Sequence, residues 1–234
     1  MSRKKRKWAN GACYHITHRC LERQFFLKFS KYRDMYQELL FAASRRFRVD
    51  VLDYMITSNH VHLLVTAKDG NQISLMFKYL HGFFAQHYNM LKGREGAFWS
   101  DRFHSTRIQD GEHLGRCLFY IDMNMVRAGA VKQPSEWKHT AFHEFVGKRK
   151  RYKIVNMDKL LQVLGIGSEE KFVDWYVKTL TGKVACNMCS REAYWSRSAA
   201  IGDEEWILSG SETLKRMKIY DTGELKYLSG KKWH

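Results

Sequence analysis

The chain predicts an α+β fold: a ferredoxin-like antiparallel sheet with helices on its faces, followed by a mainly helical C-terminal extension. Two patterns and one discontinuity carry that reading. Apolar residues alternate in short stretches and recur at helical spacing in longer ones, and the stretches succeed one another as strand, helix, strand, strand, helix, strand. The character of the sequence then changes beyond Pro134, the only proline among 234 residues.

Residues 12–19 form the first expected strand, with Tyr14, Ile16 and His18 on one side and His15 and Thr17 on the other. Ser30 is placed to cap the next helix, along which Tyr32, Tyr36, Leu39, Leu40, Ala43 and Phe47 make an apolar stripe. Residues 49–57 and 60–66 read as two strands joined through Ser58 and Asn59, residue types suited to a hairpin turn. From Asn71 as a cap, Ile73, Phe77, Leu80, Phe84, Tyr88 and Leu91 mark a second helix that Gly93 and Gly96 end. A fourth strand is expected within 98–108 and a third helix over 111–128. On that helix Leu114, Leu118, Ile121 and Met125 make the buried stripe, and Tyr120 and Asn124 lie together on its flank. Arg116 and Arg127 project to the same side, so one lateral face offers a phenol, a carboxamide and two guanidiniums.

Trp137, Phe142 and Phe145 can pack residues 135–147 back onto this domain, and the basic run 148–151 opens a second part. There, a short helix is expected over 169–180, and the aromatics of 191–195 and 204–207 read as packing residues rather than base-stacking platforms. The division is therefore a basic tail over 1–9, a principal domain over 10–147 and an extension over 148–234.

Forty lysines and arginines against 24 acidic residues give a formal charge of +16, which points to a polyanionic partner, nucleic acid rather than membrane. No apolar run approaches the roughly 18 residues of a spanning helix. The basic start has no apolar signal core behind it, so a cytoplasmic protein is expected. Arg3, Lys4, Lys5, Arg6 and Lys7 are suited to act as a phosphate clamp or minor-groove arm. Arg102, His104 and Arg107 could line a substrate strand. The five cysteines, an odd number without an export signal, are expected as free thiols. Cys186 and Cys189 have zinc-ribbon spacing, but no second pair of that spacing exists to complete four ligands.

The most informative local feature is the run from Asn59 to Val65. Alternation puts His60 and His62 on one face and Val61, Leu63 and Val65 on the other, so a paired imidazole edge lies beside a turn, open to substrate. With a tyrosine on a flanking helix and a strongly basic chain, these residues point to phosphodiester chemistry on nucleic acid.

The segments Ser58 to Val65, Phe98 to Phe103 and Tyr120 to Val131, with the opening Tyr14-His15-Ile16-Thr17, resemble the single-tyrosine HUH transposases of the insertion-sequence type over about residues 10–147. The extension, with Arg191 to Trp195, is more similar to the branch of REP-associated tyrosine transposases, which act on short palindromic repeats. One position departs from the pattern. The family usually has proline after the asparagine, where this chain has Met125, and methionine is expected to let the helix continue.

The resemblance implies a metal-dependent transposase that nicks and rejoins single-stranded DNA at hairpin-forming repeats. Tyr120 is then the nucleophile, and Asn124 supplies an oxygen to the cation held by His60 and His62. An imidazole pair alone would suit zinc, copper or nickel, whereas amide and phosphate oxygens favour a harder ion, and the family works with Mg2+ or Mn2+. Attack yields a 5′-phosphotyrosine and a free 3′-hydroxyl. A phenol needs a base, a bound water or nearby positive charge to react at neutral pH, and Arg116 and Arg127 are candidates for the last. Two other classes compete. One is a domesticated DNA-binding protein of the same fold, acting at chromosomal repeats without transposition. The other is an RNA-binding ferredoxin-like module, which would need exposed aromatics where this chain places histidines. Monomer and homodimer are both compatible with the sequence.

Overall fold

The computed structural model describes residues 6–186 and 192–209. The first strands and helices follow in the expected order: β1 (Cys13–Arg19), α1 (Ser30–Phe47), β2 (Asp50–Ile56), β3 (His60–Thr66), α2 (Asn71–Lys92) and β4 (His104–Ile108). The sheet is mixed, in the order β2-β3-β1-β4-β5, where β5 (Ala200–Ile201) comes from the extension and runs parallel to β4. The other pairs are antiparallel, which fits the ferredoxin-like expectation.

Cross-strand register decides which side chains share a face. Thr17 lies opposite both His62 and His104, and Arg19 lies opposite His60, so these residues with His15 occupy one face of the sheet. Tyr14, Ile16 and His18 point to the other face, where α1 and α2 pack: His18 meets His81 of α2, whose ring also bonds Tyr36 of α1. The stripes of both helices are largely buried, but Leu91 is exposed at the end of α2. Ser30 begins α1 without capping it, because its hydroxyl turns to the Asp34 carboxylate 3.1 Å away. Asp69, rather than Asn71, caps the start of α2 by accepting the Asn71 N–H at 3.0 Å.

The expected strand over 98–108 is split. Three steps along the first strand, from Thr17 to Cys20, are matched by five along its partner, from His104 to Trp99, so two residues loop out. Trp99 keeps an isolated bridge with Cys20, and the His18 ring donates from Nε2 to the Asp101 carbonyl at 2.5 Å, holding the loop against the sheet edge.

The third helix is also interrupted. It runs as α3 (Glu112–Asp122) and resumes as the single turn α4 (Asn124–Arg127). Met123 bonds to Phe119 at 3.0 Å, and the next ladder bond is Arg127 to Met123. The Tyr120 carbonyl instead accepts from the Arg127 guanidinium at 2.7 Å. A side chain thus replaces the amide donor that a continuous helix would supply, and the expectation that methionine carries the helix through is corrected. The stripe Leu114, Leu118, Ile121 and Met125 is buried as expected.

Beyond it follow α5 (Phe142–Phe145), α6 (Met157–Leu164), α7 (Glu169–Ala185) and α8 (Glu204–Ser209). The helix expected over 169–180 continues to Ala185, with Ser168 capping it through the Lys171 N–H. Tyr176 of α7 donates to the buried Asp122 at 2.7 Å, and Thr140 bonds the other carboxylate oxygen at 2.8 Å, so the end of α3 is tied to the extension. Cys13, Cys20, Cys117 and Cys186 are free thiols; Cys189 lies outside the described residues. Among the described residues, no helix is long and apolar enough to cross a membrane.

Candidate active site

His60, His62, Tyr120, Asn124 and Arg127 line one cleft of about 540 Å³, floored by the β1–β3 face and walled by α3, α4 and the loop before β4. Its wall also carries Arg19, Arg23, Arg102 and Arg197, and none of its described lining residues is acidic. Such a cleft attracts phosphate.

The histidine pair is set by two different supports. Beside the hairpin turn, His60 Nδ1 lies 2.7 Å from the Asn59 amide oxygen and 2.8 Å from the Thr57 hydroxyl. An amide oxygen only accepts, so the proton sits on Nδ1 and the lone pair on Nε2. His62 Nδ1 lies 2.9 Å from His15 Nε2, and the opposite nitrogen of His15 donates to the Trp195 carbonyl at 2.8 Å. His62 Nε2 faces the Asn124 amide nitrogen at 3.0 Å. Each imidazole is thus bonded through Nδ1 and carries its lone pair on Nε2, an arrangement suited to ligating a cation through Nε2. The two rings stand edge to face with centroids 4.8 Å apart.

Burial holds His62 well below the usual histidine range, and His60, His15, Arg127 and Arg19 add to that effect through their charge. Burial likewise lowers His15 to about 4, partly offset by the Trp195 carbonyl. Both rings are therefore neutral near pH 7, as a cation ligand and its supporting partner must be.

Tyr120 is buried against three kinds of neighbour. Its ring is 6.0 Å from both His15 and His62, stacks on Trp195 at 5.7 Å, and is covered by the Arg127 guanidinium at 4.3 Å. Asn124 follows one turn later and is half-buried at the cleft wall.

The other proposed contacts are dispersed. Arg102 lines the cleft. Arg116 lies outside it, paired with Glu112 at 2.6 Å in a separate hollow beside Trp175. Arg107 is opposite Tyr14, hence on the other face of its strand, and stacks on Trp206 at 4.7 Å. Arg6 is docked on Phe103, bonding its carbonyl and lying 3.9 Å from its ring centre, whereas Lys7 is exposed. Arg3, Lys4 and Lys5 lie outside the described residues.

Sequence reasoning placed His15 on the correct face without assigning it a role. It missed Asn59 and Thr57 as supports for His60, and Arg19, Arg23 and Arg197 in the wall. The pairing of residue 15 with residue 195 leaves no periodic signal, whereas Arg19 could have been found from its register opposite His60.

Residues 9–124 match the sequence profile of the family described as "Transposase IS200 like", and the chain belongs to that family. The chain is also similar in fold to a solved structure described as a REP-associated tyrosine transposase bound to a REP hairpin. That likeness has a TM-score of 0.53 at 22% identity, over 63% of this chain and 87% of the other. A Deinococcus radiodurans protein described as a candidate transposase also aligns, with 17% identity over 44% of this chain and 84% of the other and a TM-score of 0.35. A comparison with curated proteins gave no match.

Proposed function

We propose that this protein is a divalent-cation-dependent, single-stranded DNA transposase and endonuclease. In this reading it cleaves and rejoins DNA at hairpin-forming palindromic repeats through a 5′-phosphotyrosine. The observation that carries the reading is one arginine-walled cleft that brings Tyr120 beside His60, His62 and Asn124. The likeness to a transposase solved on a REP hairpin supports the choice of substrate.

The donor set fits a cation. His60 and His62 would offer their Nε2 lone pairs, and rotation of the Asn124 amide would bring its oxygen to the same point. A bound Mg2+ or Mn2+ supplies Lewis-acid polarisation of the scissile phosphate. The protein's own groups do the rest. Arg19, Arg23, Arg102 and Arg197 hold the backbone phosphates in the cleft. Tyr120 attacks phosphorus through its phenolic oxygen; the bond to the 3′-oxygen breaks, and that oxygen takes up a proton as the phenol gives one to solvent. Arg127, over the ring, favours the negative charge that develops on the phenol. The phosphotyrosine retains the phosphodiester bond energy, so attack by a 3′-hydroxyl reverses the step without ATP.

Incubation of the full chain with labelled single-stranded hairpin DNA and Mn2+, followed by a denaturing gel, tests this reading. A labelled band at the protein's mass that is lost with chelator is expected. DNA binding without cleavage or adduct under those conditions would instead favour a DNA-binding protein of the same fold.

A further inference from the structure

We propose that His15 is a positioning residue for the cation site, anchored by the Trp195 backbone carbonyl of the C-terminal extension, and that it fixes which nitrogen of His62 carries the proton. The inference rests on the reading of His62 as a cation ligand. It gives the extension a part in building the site.

One hydrogen-bonded chain fixes the tautomers from both of its ends. A carbonyl oxygen cannot donate, so His15 Nδ1, 2.8 Å from Trp195 O, must carry the His15 proton. In a neutral ring the opposite nitrogen, His15 Nε2, then accepts, and the proton of the 2.9 Å bond belongs to His62 Nδ1. At the far end an amide nitrogen, Asn124 Nδ2, stands 3.0 Å from His62 Nε2, and it too requires a lone pair on that atom. The two ends agree. The His15 and His62 planes lie within 9° with centroids 5.1 Å apart, the spacing of two rings joined edge to edge through one N–H···N bond.

The anchor is itself fixed. Thr106, opposite His15 on β4, donates to Ser198 O at 2.7 Å and approaches Trp195 O at 3.3 Å, while His104 Nε2 lies 3.0 Å from Ser198 O. The pairing of β5 with β4 then clamps the next residues of the extension. His15 and Trp195 are fully buried, so no water competes for the links between them. His60 needs no such relay, because the adjacent Asn59 supplies its acceptor.

Long-range proton–nitrogen NMR of the metal-free, full-length protein with labelled histidines reads the tautomers directly, and Mn2+ titration followed by electron paramagnetic resonance reads the site. The wild type is expected to show the proton on Nδ1 in both His15 and His62. His15→Phe should shift the His62 proton to Nε2 or spread it over both nitrogens and weaken Mn2+ binding by about 10- to 100-fold. His15→Gln, whose amide oxygen can accept from His62, should restore the Nδ1 proton and most of the affinity. A wild-type His62 protonated on Nε2, or an unchanged His62 tautomer in a folded His15→Phe protein, would overturn the inference. Expected tautomers with no Mn2+ binding by the wild type would instead remove the cation reading and the positioning role with it, leaving a purely structural hydrogen-bond chain.

Discussion

At the residue scale, the proposed chemistry rests on Tyr120, whose ring is held by Trp195, His15, His62 and Arg127 while its hydroxyl is the only part a phenylalanine would lack. Tyr120→Phe should therefore lower cleavage on the order of 10³-fold or more in single-turnover assays, with hairpin affinity nearly unchanged. Retained nicking would remove Tyr120 as nucleophile. His62→Ala and His60→Ala should each lower Mn2+-dependent cleavage on the order of 10²-fold, with a smaller effect on DNA binding in filter or fluorescence assays. Equal wild-type activity with and without chelator would return both histidines to structural roles. The shared placement of these side chains was legible in the sequence because period-two alternation puts the imidazoles on one face, and four-residue spacing puts Tyr120 and Asn124 on one flank. Arg116 shares that spacing with Tyr120 but is drawn to Glu112, so periodicity alone misplaced it relative to the cleft.

At the element scale, α3 delivers Tyr120, and its end is held by a buried carboxylate rather than by apolar packing alone. Burial raises Asp122 to about 7, while hydrogen bonds from Tyr176 and Thr140 act the other way. Tyr176→Phe removes one donor from that group and should cost about 2 kcal/mol in urea denaturation at pH 7; an unchanged midpoint would show that the link between α3 and α7 contributes nothing. The loop before β4 is held differently. His18, stacked on Trp99 and bonded to His81 and Asp101, is lowered by burial from 6.5 to about 4. The unfolded chain binds the proton at higher pH than the folded one does, so this contribution is present above pH 6.5 and lost as pH falls towards 4. Between pH 7 and 5 the wild type should lose about 2 kcal/mol more stability than His18→Gln, a comparison in which the opposite-signed Asp122 effect cancels. Equal losses in the two proteins would show that His18 does not titrate in this way. The split strand and broken helix were not legible, because the Trp99 bridge to Cys20 is a long-range pairing, and the Arg127 guanidinium bond to the Tyr120 carbonyl is a side-chain contact that periodicity does not report.

At the scale of the whole molecule, the net charge of +16 points to a polyanionic partner, and the five arginines in the wall of the tyrosine cleft give that charge a location. The charge and the succession of strands and helices were readable from sequence, whereas the fifth strand, added parallel to β4 by the extension, was not. Nor was the seating of the extension, since a carbonyl contact between residues 15 and 195 has no compositional trace. Under the proposed function, a strand that leaves the base stack brings one phosphate to both Tyr120 and the histidine pair, so single-stranded hairpin DNA should be cut and plain duplex of the same sequence should not. Efficient duplex cleavage in the same gel assay would contradict that geometry. Peptide mass spectrometry of the Mn2+-dependent adduct after nuclease trimming tests Tyr120 as the nucleophile most directly. A nucleotide joined through its 5′-phosphate to the peptide bearing Tyr120 is expected; cleavage with no covalent product, or an adduct on any other residue, would contradict a Tyr120 nucleophile.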